Sequence, residues 1–509
     1  MSEDVAGADR GRGAAGWRWS RWDTAFLILA AFYCLLEVVS FAKLMETFPD
    51  GYQTELYYVE PAANLLHHGA WASGTYPDLE PITVRPPGYS LLLAGFFAVT
   101  GDIGNRGALA FNHILLAVLL LATYVLGRSW SPAVGFGAVL LLSLDFVGLL
   151  SAGSVHGDVP FALFCLLFIF LVVRLFREGV TLLRFLLATL ALLAAVFVRP
   201  AGVFVWLVFI LSFVGYARGR LPPGRILGFL LVFMVVYGGV IGGWMARNYA
   251  VSGNSDFAGV KWAPLMTEMW PGMRARMEKK PYMSEEAVAE YEGLLRSPEY
   301  LRRSKGEREA YMTEQAMERI LPNFFPYGAW FVLDQVPTLL GGVAESSVSL
   351  FYGADAARLN REFRDMEAMQ RMYEARPNIF ARWWMVLEFQ YYNGLLGLSV
   401  YALLFKILSL FVFFMSLAGV WLLVFRSERS WDRVTGWFCF FYVALMIATA
   451  STNNVQTRFR MPIIPVMDVL AVYALFRLRT LAASRWGRGG AEGLGKLSGS
   501  PGGMVQAVR

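Results

Sequence analysis

Apolar residues fall along this chain in long runs rather than in alternation. Runs lie near residues 23–44, 88–103, 107–127, 132–152, 159–175, 181–197, 200–216, 225–245, 398–425, 434–450 and 461–476. A helix needs roughly 20 residues to cross a ~30 Å hydrocarbon layer, and lipid offers no partner to an open backbone, so runs of this kind predict membrane-spanning helices. The expected fold class is an all-α polytopic membrane protein. The run at 88–103 is the shortest, opens on Pro86-Pro87-Gly88 and contains another glycine, which predicts a short re-entrant or interfacial helix. About ten full spans remain.

Between the runs the pattern changes. From Thr54 to His68 the apolar spacing is helical, with Tyr58, Ala62 and Leu65 or Leu66 on the face that carries Glu55. Residues 248–390 hold most of the Glu, Lys and Arg, with helical patterning at 284–296 and 306–320, and predict a soluble-facing lobe. Within it, 324–343 reads as an interfacial helix, because Asp334 and two prolines interrupt a moderately apolar stretch. The predicted organisation is a segment 1–22, a membrane module 23–247 with an external loop 45–87, the lobe 248–390, further spans at 391–478, and a Gly-, Ser- and Arg-rich tail 479–509 expected to be disordered.

Composition agrees with the bilayer as solvent: of 509 residues, 56% are hydrophobic and 17% charged. The net charge of +6 is not gathered into one stripe, which argues against a nucleic-acid partner. Instead Arg174 and Arg177, then Arg218, Arg220 and Arg225, then Arg426, Arg429 and Arg433, and finally Arg477, Arg479, Arg485 and Arg488 stand between runs. By the positive-inside rule these are cytoplasmic, which puts 45–87, 248–390 and 451–459 outside an inner (plasma) membrane. The first run follows Arg10, Arg12, Arg18 and Arg21, but is too long for a leader and has no small-residue cleavage site, so it reads as a retained span. Cys34, Cys165 and Cys439 are scattered in apolar runs and suggest neither disulfides nor a thiolate site.

The first external loop holds the densest candidate chemistry. Arg85 stands on a stiff Pro-Pro turn just before the chain meets the bilayer, where a guanidinium is suited to two phosphate oxygens. Glu55 and Asp50 are the carboxylates able to serve as a base, and Glu60 reads as structural or exposed. Asp158, beside His156 and ahead of Pro160, is either a second acid or an ordinary helix start. Three apolar runs separate it from Arg85, so one of them must not cross if both serve one site. Arg247, Arg458 and Arg460 emerge at external span ends, where they are able to bind phosphate or acceptor; Arg199 is the less suggestive of the span-end arginines. Glu37, Asp145 and Lys406 lie inside apolar runs, where ionisable groups are costly. His67, His68 and His156 match no recognised metal-ligand spacing, so no metal or other cofactor is expected.

Three stretches then carry a resemblance: Thr54-Glu55-Leu56-Tyr57-Tyr58-Val59-Glu60-Pro61-Ala62-Ala63-Asn64-Leu65-Leu66, Gly69-Ala70-Trp71, and Arg85-Pro86-Pro87-Gly88-Tyr89-Ser90-Leu91-Leu92-Leu93-Ala94. His156-Gly157-Asp158-Val159-Pro160, Val198-Arg199-Pro200, Trp244-Met245-Ala246-Arg247-Asn248 and Arg458-Phe459-Arg460-Met461-Pro462 support it in order along the chain. The sequence resembles the GT-C glycosyltransferases of the protein mannosyltransferase and aminoarabinose transferase type. The resemblance implies a GT-C fold, a sugar donor on polyprenyl phosphate and an extracytoplasmic site. It also implies inversion by a first-loop carboxylate base, a second acid from the next external turn, and a lipid, glycan or protein acceptor. In that family an Asp usually precedes the Glu, and here Thr54 stands in its place. Either Glu55 takes the role, or Asp50 does, or the chemistry differs. Rival expectations are a polymerase or ligase acting on lipid-diphosphate glycans, and a transporter or flippase.

Overall fold

A computed structural model describes residues 19–47, 56–145, 147–259, 264–278, 285–333, 339, 396–451 and 457–497. Glu55 and Asp50 lie outside the described residues. Apart from one pair of two-residue strands, β1 (Ala72–Ser73) antiparallel to β2 (Glu80–Pro81), the regular structure described is helical.

In chain order the helices are α1 (Arg21–Thr47), α2 (Leu56–His68), α3 (Gly88–Thr100), α4 (Asn105–Arg128), α5 (Pro132–Leu144), α6 (Val147–Ala152), α7 (Asp158–Glu178), α8 (Leu182–Val198) and α9 (Val205–Ala217). They continue with α10 (Pro223–Phe233) and α11 (Gly239–Ser252), joined by a π-turn, then α12 (Trp270–Glu278), α13 (Glu285–Leu295), α14 (Pro298–Leu301) and α15 (Lys305–Ile320). The last three are α16 (Leu396–Phe425), α17 (Ser430–Ser451) and α18 (Ile464–Leu497).

Seven helices among the described residues are long and apolar enough to cross a membrane: Arg21–Glu46, Asn105–Arg128, Asp158–Glu178, Pro200–Ala217, Pro223–Ser252, Leu404–Phe425 and Ser430–Ala450. The chain is therefore all-helical and polytopic, as its apolar runs predict. Three more of the expected spans fall short for identifiable reasons. The run 132–152 is two helices, because Asp145 leaves the helical conformation and its Oδ1 accepts the Val147 N–H at 3.0 Å, capping α6. Helix α8 has 17 residues, and α18 carries Asp468 inside its apolar half.

Helix α7 is the axis of the bundle. Phe168 packs edge-on against Phe209 of α9 and Phe438 of α17, while Phe161, Cys165, Ile169 and Val172 are buried along the same helix. Close approach elsewhere depends on missing side chains: a Cβ at Gly419 would lie 2.3 Å from the Leu470 carbonyl oxygen, so α16 and α18 pack backbone to backbone.

Helix α3 does not carry the chain to the far end of the bundle. At 13 residues it is about 20 Å long, and both Tyr89 and Phe97 pack on the first turns of α4. The turn before α3 and the turn before α7 consequently lie at one end, hereafter the site end. At the opposite end Asp23 Oδ1 accepts from Tyr124 Oη at 2.7 Å and from Arg128 Nε at 3.0 Å.

The lobe has its own small core of Met266, Met269, Met273, Met312, Ala316, Ile320 and Phe331. Its helices fall where the patterning places them, and α15 opens with a capping box between Ser304 and Glu307. Of the stretch 324–343, the described part packs Phe331 inward and leaves Phe325, Trp330 and Leu333 exposed. Helix α18 continues to Leu497, past the expected start of the tail at residue 479.

Candidate active site

Helix α2 is tied to the following segment 72–74 by two polar residues of its middle turns. Glu60 Oε1 accepts the Gly74 N–H at 2.6 Å, and Asn64 Nδ2 donates to the carbonyls of Ala72 at 2.9 Å and Gly74 at 3.1 Å. Glu60 is thus structural, as expected. The helix ends at Gly69, whose φ of +64° favours glycine and whose N–H returns to the Leu65 carbonyl. In the first turn of the helix, ahead of these ties, Tyr58 is buried, edge-on to Tyr89 with ring centres 5.0 Å apart. The Arg85 guanidinium lies 5.9 Å over the Tyr58 ring.

A buried relay of hydrogen bonds fixes this aromatic pair to the next turn at the same end. Tyr89 Oη donates to Asn112 Oδ1 at 2.9 Å, and Asn112 Nδ2 donates to the carbonyls of Ser154 at 2.9 Å and His156 at 3.3 Å. Arg85, expected from sequence to suit phosphate oxygens, and Tyr58, expected on the inner face of the first-loop helix, are brought together.

The arm that presents Arg85 is gripped through its backbone. Arg247 donates to the Ile82 carbonyl and, at 3.1 Å, to Asn248 Oδ1; the Gly259 N–H donates to the Thr83 carbonyl at 3.1 Å. Asn248 Nδ2 in turn holds the Asp256 carbonyl at 2.8 Å. Beyond Pro86-Pro87, Gly88 rests on the end of α8, where a Cβ would lie 2.5 Å from the Phe197 carbonyl. Arg247 therefore reaches the region predicted for it, but as a buttress of the arm.

That contact delivers the arm to a buried ion pair. Asp158, the first residue of α7 and 1% exposed, pairs with Arg199, which follows α8 in extended conformation. The Arg199 guanidinium also lies 5.0 Å over the Phe459 ring. Asp158 is thus a helix start whose carboxylate is engaged by Arg199. Arg199 is the residue that sequence reasoning ranked too low. The available signal was Val198-Arg199-Pro200, an arginine placed by proline at the end of an apolar run.

Arg460 goes elsewhere. The turn Thr457–Arg460 directs Phe459 to Arg199, while Arg460 donates to Asp145 Oδ1 at 3.0 Å. The Arg460 guanidinium, expected from sequence to bind phosphate or acceptor, is thus engaged by the buried carboxylate in the break between α5 and α6. The side chain of Arg458 lies outside the described residues. His67 and His68 sit at the exposed end of α2, with His68 stacked on Tyr76 at 4.7 Å. Among the described residues no cluster of three or more His, Cys, Asp or Glu is placed to hold a metal ion.

The site end therefore presents two guanidinium groups, of Arg85 and Arg199, against aromatic faces, with one carboxylate buried behind them. Such an arrangement offers fixed positive charge to an anionic group in a partly desolvated setting.

No protein-family model matches the sequence. An uncharacterized protein of Aquifex aeolicus (strain VF5) is 29% identical over 208 residues, which are 39% of this chain and 39% of that protein. Among solved structures the chain is similar to the Archaeoglobus fulgidus oligosaccharyltransferase in complex with zinc and sulfate, at 15% identity and a TM-score of 0.40, over 89% of this chain and 50% of that one. It is also similar to the Archaeoglobus fulgidus oligosaccharyltransferase AglB bound to an inhibitory peptide and a dolichol-phosphate, at 13% identity and a TM-score of 0.40, over 94% of this chain and 53% of that one. The chain spans about half the length of these structures. By its own helices and their packing, it is an all-helical, multi-pass membrane protein.

Proposed function

We propose that this chain is a membrane glycosyltransferase of the GT-C type, which moves a sugar from a polyprenyl-phosphate donor to an acceptor on the extracytoplasmic side. The observation that carries the reading is the placement of Arg85: over the buried Tyr58 ring, on a turn packed directly against the end of α8, which Arg199 follows. The order of the first-loop motifs supports it.

In this reading the donor phosphate meets Arg85 and Arg199. Glu55, or Asp50 in its place, takes the proton of an acceptor hydroxyl as that oxygen attacks the anomeric carbon. The bond from the anomeric carbon to the phosphate oxygen breaks, and its electron pair leaves on the phosphate. A positioned base contributes typically ~10²–10⁴-fold and a charge-stabilising donor about 10²–10³-fold. Asp158 acts through Arg199, holding its guanidinium in place. Arg247 acts through the Ile82–Arg85 arm.

Mass spectrometry of membrane lipids and surface glycans, from cells with and without the gene, is expected to show one missing sugar and thereby name the acceptor class. Transfer in isolated membranes is expected to fall by about 10²-fold or more in both Glu55→Gln and Arg85→Ala. Full activity in both variants would remove the mechanism. A purified enzyme that accepts diphosphate but not monophosphate donors would favour a glycan ligase. Cysteine labelling that placed positions 55 and 85 on the cytoplasmic face would also defeat the reading.

A further inference from the structure

A strap of chain, residues 253–259, runs from the end of α11 to the arm that carries Arg85. Its membrane side is held at two carbonyls: Asn248 Nδ2 donates to that of Asp256 at 2.8 Å, and Trp244 Nε1 to that of Phe257 at 2.9 Å. The Phe257 ring lies edge-on to Phe197, with ring centres 5.4 Å apart. Gly259, at the far end of the strap, donates its N–H to the Thr83 carbonyl at 3.1 Å, just ahead of Arg85.

The lobe meets the strap from another side, and at the same residue. A side chain at Gly259 would run into the Glu309 carboxylate, so α15 lies directly on the backbone that holds the arm. Asn254, 9% exposed, joins the two: its Nδ2 donates to Glu309 Oε2 at 3.2 Å and to Asp256 Oδ2 at 3.3 Å. Its Oδ1 accepts the Asp256 N–H at 3.0 Å, which fixes the orientation of the amide and turns both Nδ2 protons toward carboxylates. The first turn of α15 is seated as well, because a side chain at Gly306 would meet the Ser252 carbonyl at the end of α11. The lobe's own core, built around Met266, Met273, Met312 and Phe331, includes neither Glu309 nor Asn254.

We infer that Glu309 and Asn254 are positioning residues through which the lobe sets where Arg85 stands, so that the phosphate site is complete only with α15 seated on the strap. The inference rests on the transfer reading for what Arg85 does; the coupling of lobe to arm rests on the contacts alone. Hydrogen bonds to charged groups are among the stronger kinds, and losing one at a single joint shifts the population of a held segment about tenfold. Because α11 keeps its hold on Asp256 and Phe257, releasing α15 loosens the Gly259 end, where the arm is attached.

The test uses the full-length protein purified in detergent, with Cys34→Ser to silence the exposed native thiol and Val84→Cys as a reporter on the arm that leaves Arg85 in place. Labelling of that cysteine by a charged maleimide is expected to quicken about tenfold in Glu309→Ala and in Asn254→Ala. Glu309→Gln, which keeps an acceptor oxygen for Asn254, is expected to restore the slow rate. Glu314→Ala, exposed on the same helix, is expected to leave it unchanged. An unchanged rate in Glu309→Ala overturns the proposal. So does quickening in Glu309→Ala without it in Asn254→Ala, because damage to the lobe is then the cause. In transfer assays Glu309→Ala is expected to lower activity about tenfold and to add no further loss in an Arg85→Ala background, whereas losses that multiply overturn the coupling. Full activity in Arg85→Ala would instead remove the transfer reading and leave the labelling result standing.

Discussion

Two buried acid–arginine pairs sit toward the same end of this molecule and differ in what surrounds them. Asp158–Arg199 joins the start of α7 to the end of α8, and its arginine faces Phe459 beside the arm that carries Arg85. Asp145–Arg460 joins a helix break to a 3₁₀ turn, and its surroundings hold a third charge, Asp468. The first pair lies beside the arm that carries Arg85; the second lies beside a further buried carboxylate, Asp468. The same residue types thus sit in different company, a second arginine in one region and a second carboxylate in the other. Charge type alone does not assign a role; the count of neighbours does.

The largest expected effects come from halving each pair. Arg199→Ala and Asp145→Ala each strand a buried charge and are expected to cost about 3–5 kcal/mol of stability, measured by thermal unfolding in detergent. If Arg199→Ala were harmless to stability, the contrast would lose its premise. The next effect separates function from fold. Arg85→Ala is expected to reduce transfer by roughly 10²–10³-fold with an unshifted thermal midpoint, whereas Arg460→Ala destabilises. Equal activity losses at equal stability would merge the two regions into one site.

A smaller effect probes the contact that brings the arm to Arg199. Gly88→Ala forces a Cβ to 2.5 Å from the Phe197 carbonyl, so a cost of about 1–3 kcal/mol is expected together with reduced transfer. Gly419→Ala crowds the Leu470 carbonyl at 2.3 Å and is expected to show the stability loss alone. The smallest lies in the lobe. The backbone hydrogen bond from Ser304 holds the Glu307 carboxyl below its ordinary range. Its folded-state pKa is depressed, so the stabilisation is present above the unfolded-state value and is lost as pH falls through the folded one. Amide protection in the first turn of α15, taken relative to the unfolded chain's exchange at the same pH, is expected to fall only at acid pH, and protection that does not change with pH would show the cap to be idle.

Much of the architecture was legible from periodicity, because lipid leaves a long apolar run little choice but helix. The lobe helices at 285–295 and 305–320 were legible for the same kind of reason, in polar spacing and a Ser-to-Glu cap. What the sequence hid was pairing at a distance. Nothing local marks Asp145 as the partner of Arg460, 315 residues away, or Glu37 as the neighbour of His113 at 3.8 Å. Arg199 was undervalued because its worth depends on Asp158, which only folding brings to it. The break at Asp145 was missed because its neighbours are as apolar as those of any continuous span.

Finally, the ligatures around the Arg85 arm end on main-chain oxygens: Ile82 and Thr83 on one side, Ser154 and His156 on the other. A carbonyl is furnished by every amino acid, so these anchorages are indifferent to which side chains occupy positions 82, 83, 154 and 156. Heredity must guard the donors Arg247, Asn112 and Tyr89 and the bare Gly88, whereas these four hydrogen-bonded carbonyls survive a change of side chain, so descendants that look unalike there can inherit the same grip.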